Sequence, residues 1–99
     1  DEEQFGPALP VIKYSDPEEV LEQINSTSEG LGGSVWAADV DAAQKLAARM
    51  ESGTIWVNKH GELDPGIPFA GAKQSGIGTE LGATGLDEFT QRKVLNIAR

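Results

Sequence analysis

Ser34-Val35-Trp36-Ala37-Ala38, a helical stretch opening at Asp39, and Thr54-Ile55-Trp56-Val57-Asn58 together decide the fold. Asp39 is placed to cap the helix. Val40, Ala43, Leu46, Ala47 and Met50 then recur at three-to-four spacing, with Lys45 and Arg49 turned outward. Gly53 is expected to close the helix in the left-handed conformation. The run Thr54–Asn58 is apolar without alternation, as in a strand covered on both faces. Strand, helix and strand in this order predict a parallel pair joined by a crossover.

The same rhythm extends toward the N-terminus. Ala8-Leu9-Pro10-Val11-Ile12-Lys13-Tyr14 reads as an edge strand, because Pro10 lacks a ladder donor. Asp16, Pro17 and Glu19 mark a helix start with a capping-box spacing, and Val20, Leu21 and Ile24 form its apolar face. Gly30, Gly32 and Gly33 break the chain before the second strand. The fold class is therefore α/β, a partial doubly wound parallel sheet (β-α-β-α-β). Trp36 and Trp56, both in apolar runs, are expected in the core.

Beyond Asn58 the pattern stops. Seven of the 27 residues from 59 to 85 are glycine, which predicts a long glycine-rich loop. Leu86–Thr90 reads as a helical turn, and Val94–Ala98 as a short C-terminal strand. The 99 residues leave room for one domain at most.

Composition narrows the function. The chain has no cysteine and one histidine, His60, so neither a cysteine nucleophile nor a metal site is expected within it. Net charge is −8. Residues 1–29 carry eight acids against Lys13 alone, which is a net −7. An acidic chain without a basic stripe is a poor partner for nucleic acid or anionic membrane. No apolar run approaches the roughly 20 residues of a membrane span. No signal peptide is visible, and a cytoplasmic location is expected.

The remaining motifs are weak. Gly76-Ile77-Gly78-Thr79-Glu80-Leu81-Gly82 is one residue too long for a dinucleotide fingerprint and follows no strand. Lys73-Gln74-Ser75 is not a phosphate loop. His60 follows a strand end, where open α/β sheets place ligands, but a lone loop histidine is more often solvated. The acids Glu18, Glu19 and Glu22 suit a helix start better than a metal.

Four stretches go further. Glu3-Gln4-Phe5-Gly6-Pro7 resembles the E-x-F-G-P motif of the aldehyde dehydrogenase superfamily. Pro68-Phe69-Ala70-Gly71-Ala72-Lys73-Gln74-Ser75-Gly76-Ile77-Gly78-Thr79-Glu80 resembles its P-F-G-G-x-K-x-S-G-x-G-R-E signature. Gly30–Trp36 and Gly53–Asn58 are similar in the right order between them. Gln4, Ala70 and Thr79 depart from the pattern, standing for a branched aliphatic, a glycine and an arginine.

The resemblance implies an enzyme that oxidises an aldehyde to a carboxylic acid with NAD or NADP. A cysteine forms a thioester, and a glutamate activates water to hydrolyse it. Both lie upstream of the E-x-F-G-P motif in the family, so no catalytic residue is expected in this chain, which alone should be inactive. Glu3 and Phe5 match cofactor-binding positions, at the nicotinamide ribose and beside the nicotinamide ring. Phe69 matches a substrate-binding aromatic. Residues 1–90 would be the C-terminal part of a catalytic domain. Residues 91–99 would be an oligomerisation strand joining a second copy. The partners implied are the remainder of the parent chain, another subunit and the aldehyde. A coenzyme A-acylating member is also compatible. The alternative is a stand-alone, non-catalytic oligomerisation or binding module.

Overall fold

In the computed structural model, which describes residues 4–99, each regular element forms where local signals and a partner coincide. Helix α1 spans Pro17–Asn25. Asp16 is its N-cap, with Oδ1 accepting from the Glu18 amide at 2.9 Å, and Pro17 occupies the first turn, where its missing N–H costs nothing. Helix α2 spans Val40–Ala47 and is capped by Asp39, which accepts from the Ala42 amide at 3.1 Å. Strands β2 (Gly32–Val35) and β3 (Thr54–Val57) flank α2 and pair in parallel, with Gly32 opposite Thr54 and Val35 opposite Val57. One βαβ unit is thus the centre of the molecule.

Around it lie two short antiparallel ladders. Strand β1 (Glu29–Gly30) pairs with β5 (Ala72–Lys73), and β4 (Phe69–Ala70) pairs with β6 (Thr79–Glu80). Helix α3 follows at Gly82–Glu88. The segment expected to be an irregular glycine-rich loop therefore contains three short strands and the start of a helix. The helical turn expected at Leu86–Thr90 is the latter part of α3. Two-residue ladders have no hydrophobic period long enough to be read from sequence.

The three-stranded parallel sheet is corrected to two strands among the described residues. Ala8–Tyr14 is not a strand. Leu9 and Val11 are largely exposed, and none of the described segments pairs with them. Val94–Ala98 likewise forms no strand, with Val94, Leu95 and Ile97 exposed. Strand propensity is satisfied only by a neighbour that takes the backbone hydrogen bonds, and neither segment has one here.

Gly53 is also corrected. It is not in the left-handed region, and α2 ends instead on Ala48 in the right-handed conformation. Gly53 is needed for close approach: a Cβ there would sit 1.8 Å from the Ala70 carbonyl oxygen. Its amide donates to the Gly30 carbonyl at 2.9 Å. Three backbone segments, at residues 30, 53 and 70, meet at this point.

The core is small. Among the described residues only Leu21 and Ala43 are buried hydrophobics. Trp36, expected inside, is 65% exposed. The chain exposes 8585 Å², where a compact monomer of this size exposes roughly 5,400 Å². The Cα radius of gyration is 17.7 Å, against roughly 13 Å for a compact chain of this length.

Candidate functional site

The site is built on β3 and on the loop leaving its carboxyl end. Alternation along the strand sends Trp56 to the face opposite Ile55. Gly32 on the neighbouring strand leaves room for the indole: a Cβ there would lie 3.0 Å from Cζ3 of the ring. The Trp56 Nε1–H donates to the Glu62 carbonyl at 2.9 Å, which folds the following loop back over the strand. His60 meets the indole edge-on at 5.2 Å between centroids, and Phe69 lies tilted at 6.5 Å.

The result is a cleft with Trp56, Phe69, Pro68 and Leu63 as apolar walls and Thr54 on its strand side. The Thr54 Oγ1 is buried with no hydrogen-bond partner among the described residues. Glu62, paired with Lys59 at 3.1 Å, and Asp64, whose Oδ1 accepts from the Gly66 amide at 2.7 Å, shape the loop at the rim. Two aromatic walls and one unpaired hydroxyl suit a small, mostly apolar molecule with a polar end.

Asn58 fixes where the loop begins. Its φ is 55°, a left-handed conformation that asparagine tolerates better than most residues. Its side chain accepts from the Ala37 amide and donates to the Ala37 carbonyl, both at 2.9 Å. The Asn58 amide also donates to the Val35 carbonyl at 2.9 Å. The two strand ends are thus held level at the point where the cleft loop departs. From sequence Asn58 was read only as the last residue of the third strand, with no site role, and the strand in fact ends at Val57. A left-handed asparagine just after a strand is the signal that could have found it.

The sequence-predicted site residues separate into two groups. Phe69 lies in the cleft. Phe5 is fully exposed and contributes to no walled site among the described residues. Glu3 lies outside the described residues. His60 is exposed, as a solvated loop histidine is, although its ring meets Trp56 edge-on. Among the described residues there is no group of carboxylates and histidine able to hold a metal, and no helix long and apolar enough to cross a membrane.

The cleft lies beside the loop that leaves the carboxyl end of β3, the side on which open α/β sheets place ligands. Comparison with known proteins supplies the family. Residues 1–95 match the model of the aldehyde dehydrogenase family, and the chain belongs to that family. It is similar to phenylacetaldehyde dehydrogenase of Pseudomonas fluorescens, at 42% identity over 98% of this chain and 19% of that protein. It is also similar to betaine aldehyde dehydrogenase of Bacillus subtilis, at 46% identity over 93% of this chain and 19% of that protein. Among solved structures, betaine aldehyde dehydrogenase of Staphylococcus aureus in complex with NAD+ superimposes with a TM-score of 0.84 at 39% identity. That match covers 89% of this chain and 18% of the other. The chain spans about a fifth of the length of the curated relatives it matches.

Proposed function

We propose that these residues form the C-terminal part of an NAD- or NADP-dependent aldehyde dehydrogenase that oxidises an aldehyde to a carboxylic acid through a cysteine thioester. On this reading the chain by itself is inactive. The observation that carries it is the family match over a fifth of its relatives' length, in a chain that contains no cysteine. The nucleophile then has to come from residues outside this chain. The excess of exposed apolar surface fits the same reading, because it is surface that further parts of a domain would cover.

The chain's own residues divide between two walls of that enzyme. Glu3, an acceptor when ionised, is suited to ribose hydroxyl donors. Phe5 offers a flat face beside the nicotinamide, which takes up the hydride. Phe69, with Trp56 behind it, forms an apolar wall for the aldehyde. Residues 91–99 supply an assembly strand for a second copy, and a cytoplasmic location belongs to the same reading.

The test is to assay the purified chain and the longer protein that carries it side by side. The chain alone should give no aldehyde-dependent reduction of NAD or NADP, and the longer protein should. In the longer protein, Glu3→Gln should raise KM for the cofactor about tenfold and leave KM for the aldehyde unchanged. Turnover by the chain alone would refute its inactivity. A longer protein that reduces neither cofactor with any of a panel of aldehydes would overturn the reading.

A further inference from the structure

Helix α1 has no basic residue in its last turn. Its final carbonyls therefore lack a cation from their own segment, although a helix C-terminus favours one. Lys73 supplies it from 48 residues away. Its Nζ donates to the Asn25 carbonyl at 2.6 Å and to the Thr27 carbonyl at 3.1 Å. It also lies 3.1 Å from Glu51 Oε2, on the segment between α2 and β3. Two of the three donors of the ammonium are thus spent on carbonyls, with the Glu51 carboxylate beside it as a counter-charge. Only 22% of the Lys73 side chain is exposed, and its backbone is left-handed at φ 53°.

Neighbouring bonds point the same way. The Gln74 amide donates to the Ser28 carbonyl at 3.0 Å, and the Gly30 amide donates to Ser75 Oγ at 2.8 Å. Lys73 lies within the hairpin between β4 and β6, the hairpin that carries Phe69 into the cleft. We propose that Lys73 is a positioning residue: its ammonium clamps this hairpin to the end of α1 and so sets the place of the Phe69 wall. Lys73 touches no substrate and acts through Phe69. The proposal rests on the reading of Phe69 given above.

The experiment compares Lys73→Met, Lys73→Arg and Glu51→Gln in the longer, active protein. Methionine keeps much of the length and removes the charge. Losing a charge-assisted bond to a carbonyl predicts about a tenfold rise in KM for the aldehyde. kcat and the cofactor KM should stay within about twofold, and arginine should recover part of the loss. Glu51 is well exposed, so Glu51→Gln should change KM by less than about twofold. Lower thermal stability in Lys73→Met with an unchanged aldehyde KM would reduce the clamp to a structural staple and overturn the proposal. So would equal rises in both KM values. Should the longer protein oxidise no aldehyde, the functional reading fails by itself, and hydrogen exchange still tests the clamp. The Gln74 and Gly30 amides should then exchange about tenfold faster in Lys73→Met while Ile55–Val57 are unchanged. Unchanged exchange at Gln74 and Gly30 would overturn it.

Discussion

The seam joining β1, β3 and the β4–β6 hairpin contrasts with the two arms, residues 4–14 and 90–99. Both regions contain apolar, strand-favouring residues. In the seam, Ile55 and Val57 are half-buried, and Gly30, Gly53, Gln74 and Ser75 make hydrogen bonds across segments. In the arms, Val11 is 92% exposed and Val94 87%, and neither segment belongs to a ladder. The difference lies in partners, not in residue type. A strand is a relation between two segments, and an apolar run without a second segment stays open.

The contrast can be broken most severely at Gly53. Gly53→Ala places a methyl group against the Ala70 carbonyl, so backbone must move. It should cost about 3 kcal/mol or more, read as a large fall in the urea midpoint, whereas Gly6→Ala in the open arm should change little. An equal response at both sites would remove the distinction. The arms should show themselves next through association. Across a dilution series in sedimentation the isolated chain should self-associate, because exposed apolar strand segments pair readily. Leu95→Lys with Ile97→Lys should shift it toward monomer, and a wild-type monomer at every concentration would refute this.

The smallest effect should come from the exposed contact between α1 and the end of α2. Arg49 donates to both Glu18 oxygens, and this hydrogen bonding, with the nearby guanidinium charge, lowers the Glu18 pKa below its ordinary 4.5. A lowered carboxyl pKa adds stability that is present above about 4.5 and lost as pH falls through the lower folded-state value. The pair is well exposed, so salt should screen it. The check is the difference in urea midpoint between Glu18→Gln and the parent, which should shrink on acidification through that window. A difference that does not vary with pH would show the contact to be idle.

The cap residues were legible in the sequence because their chemistry is local. Asp16 and Asp39 act on amides two or three residues away. The β2–α2–β3 order was legible from the change of hydrophobic period between elements. The family was legible through the signature beginning at Pro68. Trp36 was misjudged, since an apolar strand residue is core only if something covers its face. Gly53 was misjudged for a related reason, because a glycine after a helix has a local use and a tertiary one, and the tertiary one applies here. The contacts of Lys73 with the end of α1 were invisible, since its acceptors there are carbonyls that carry no residue signature.

By itself the sequence determined the starts of α1 and α2, the central βαβ unit, the lack of cysteine and the family. Periodicity, caps and composition act within a few residues and need no knowledge of distant segments. Only the tertiary structure decided that Ala8–Tyr14 and Val94–Ala98 stay unpaired, that Gly53 makes room for Ala70, and that Lys73 reaches the end of α1. Each depends on which remote backbone comes within hydrogen-bonding or van der Waals distance, and three-dimensional packing sets that proximity.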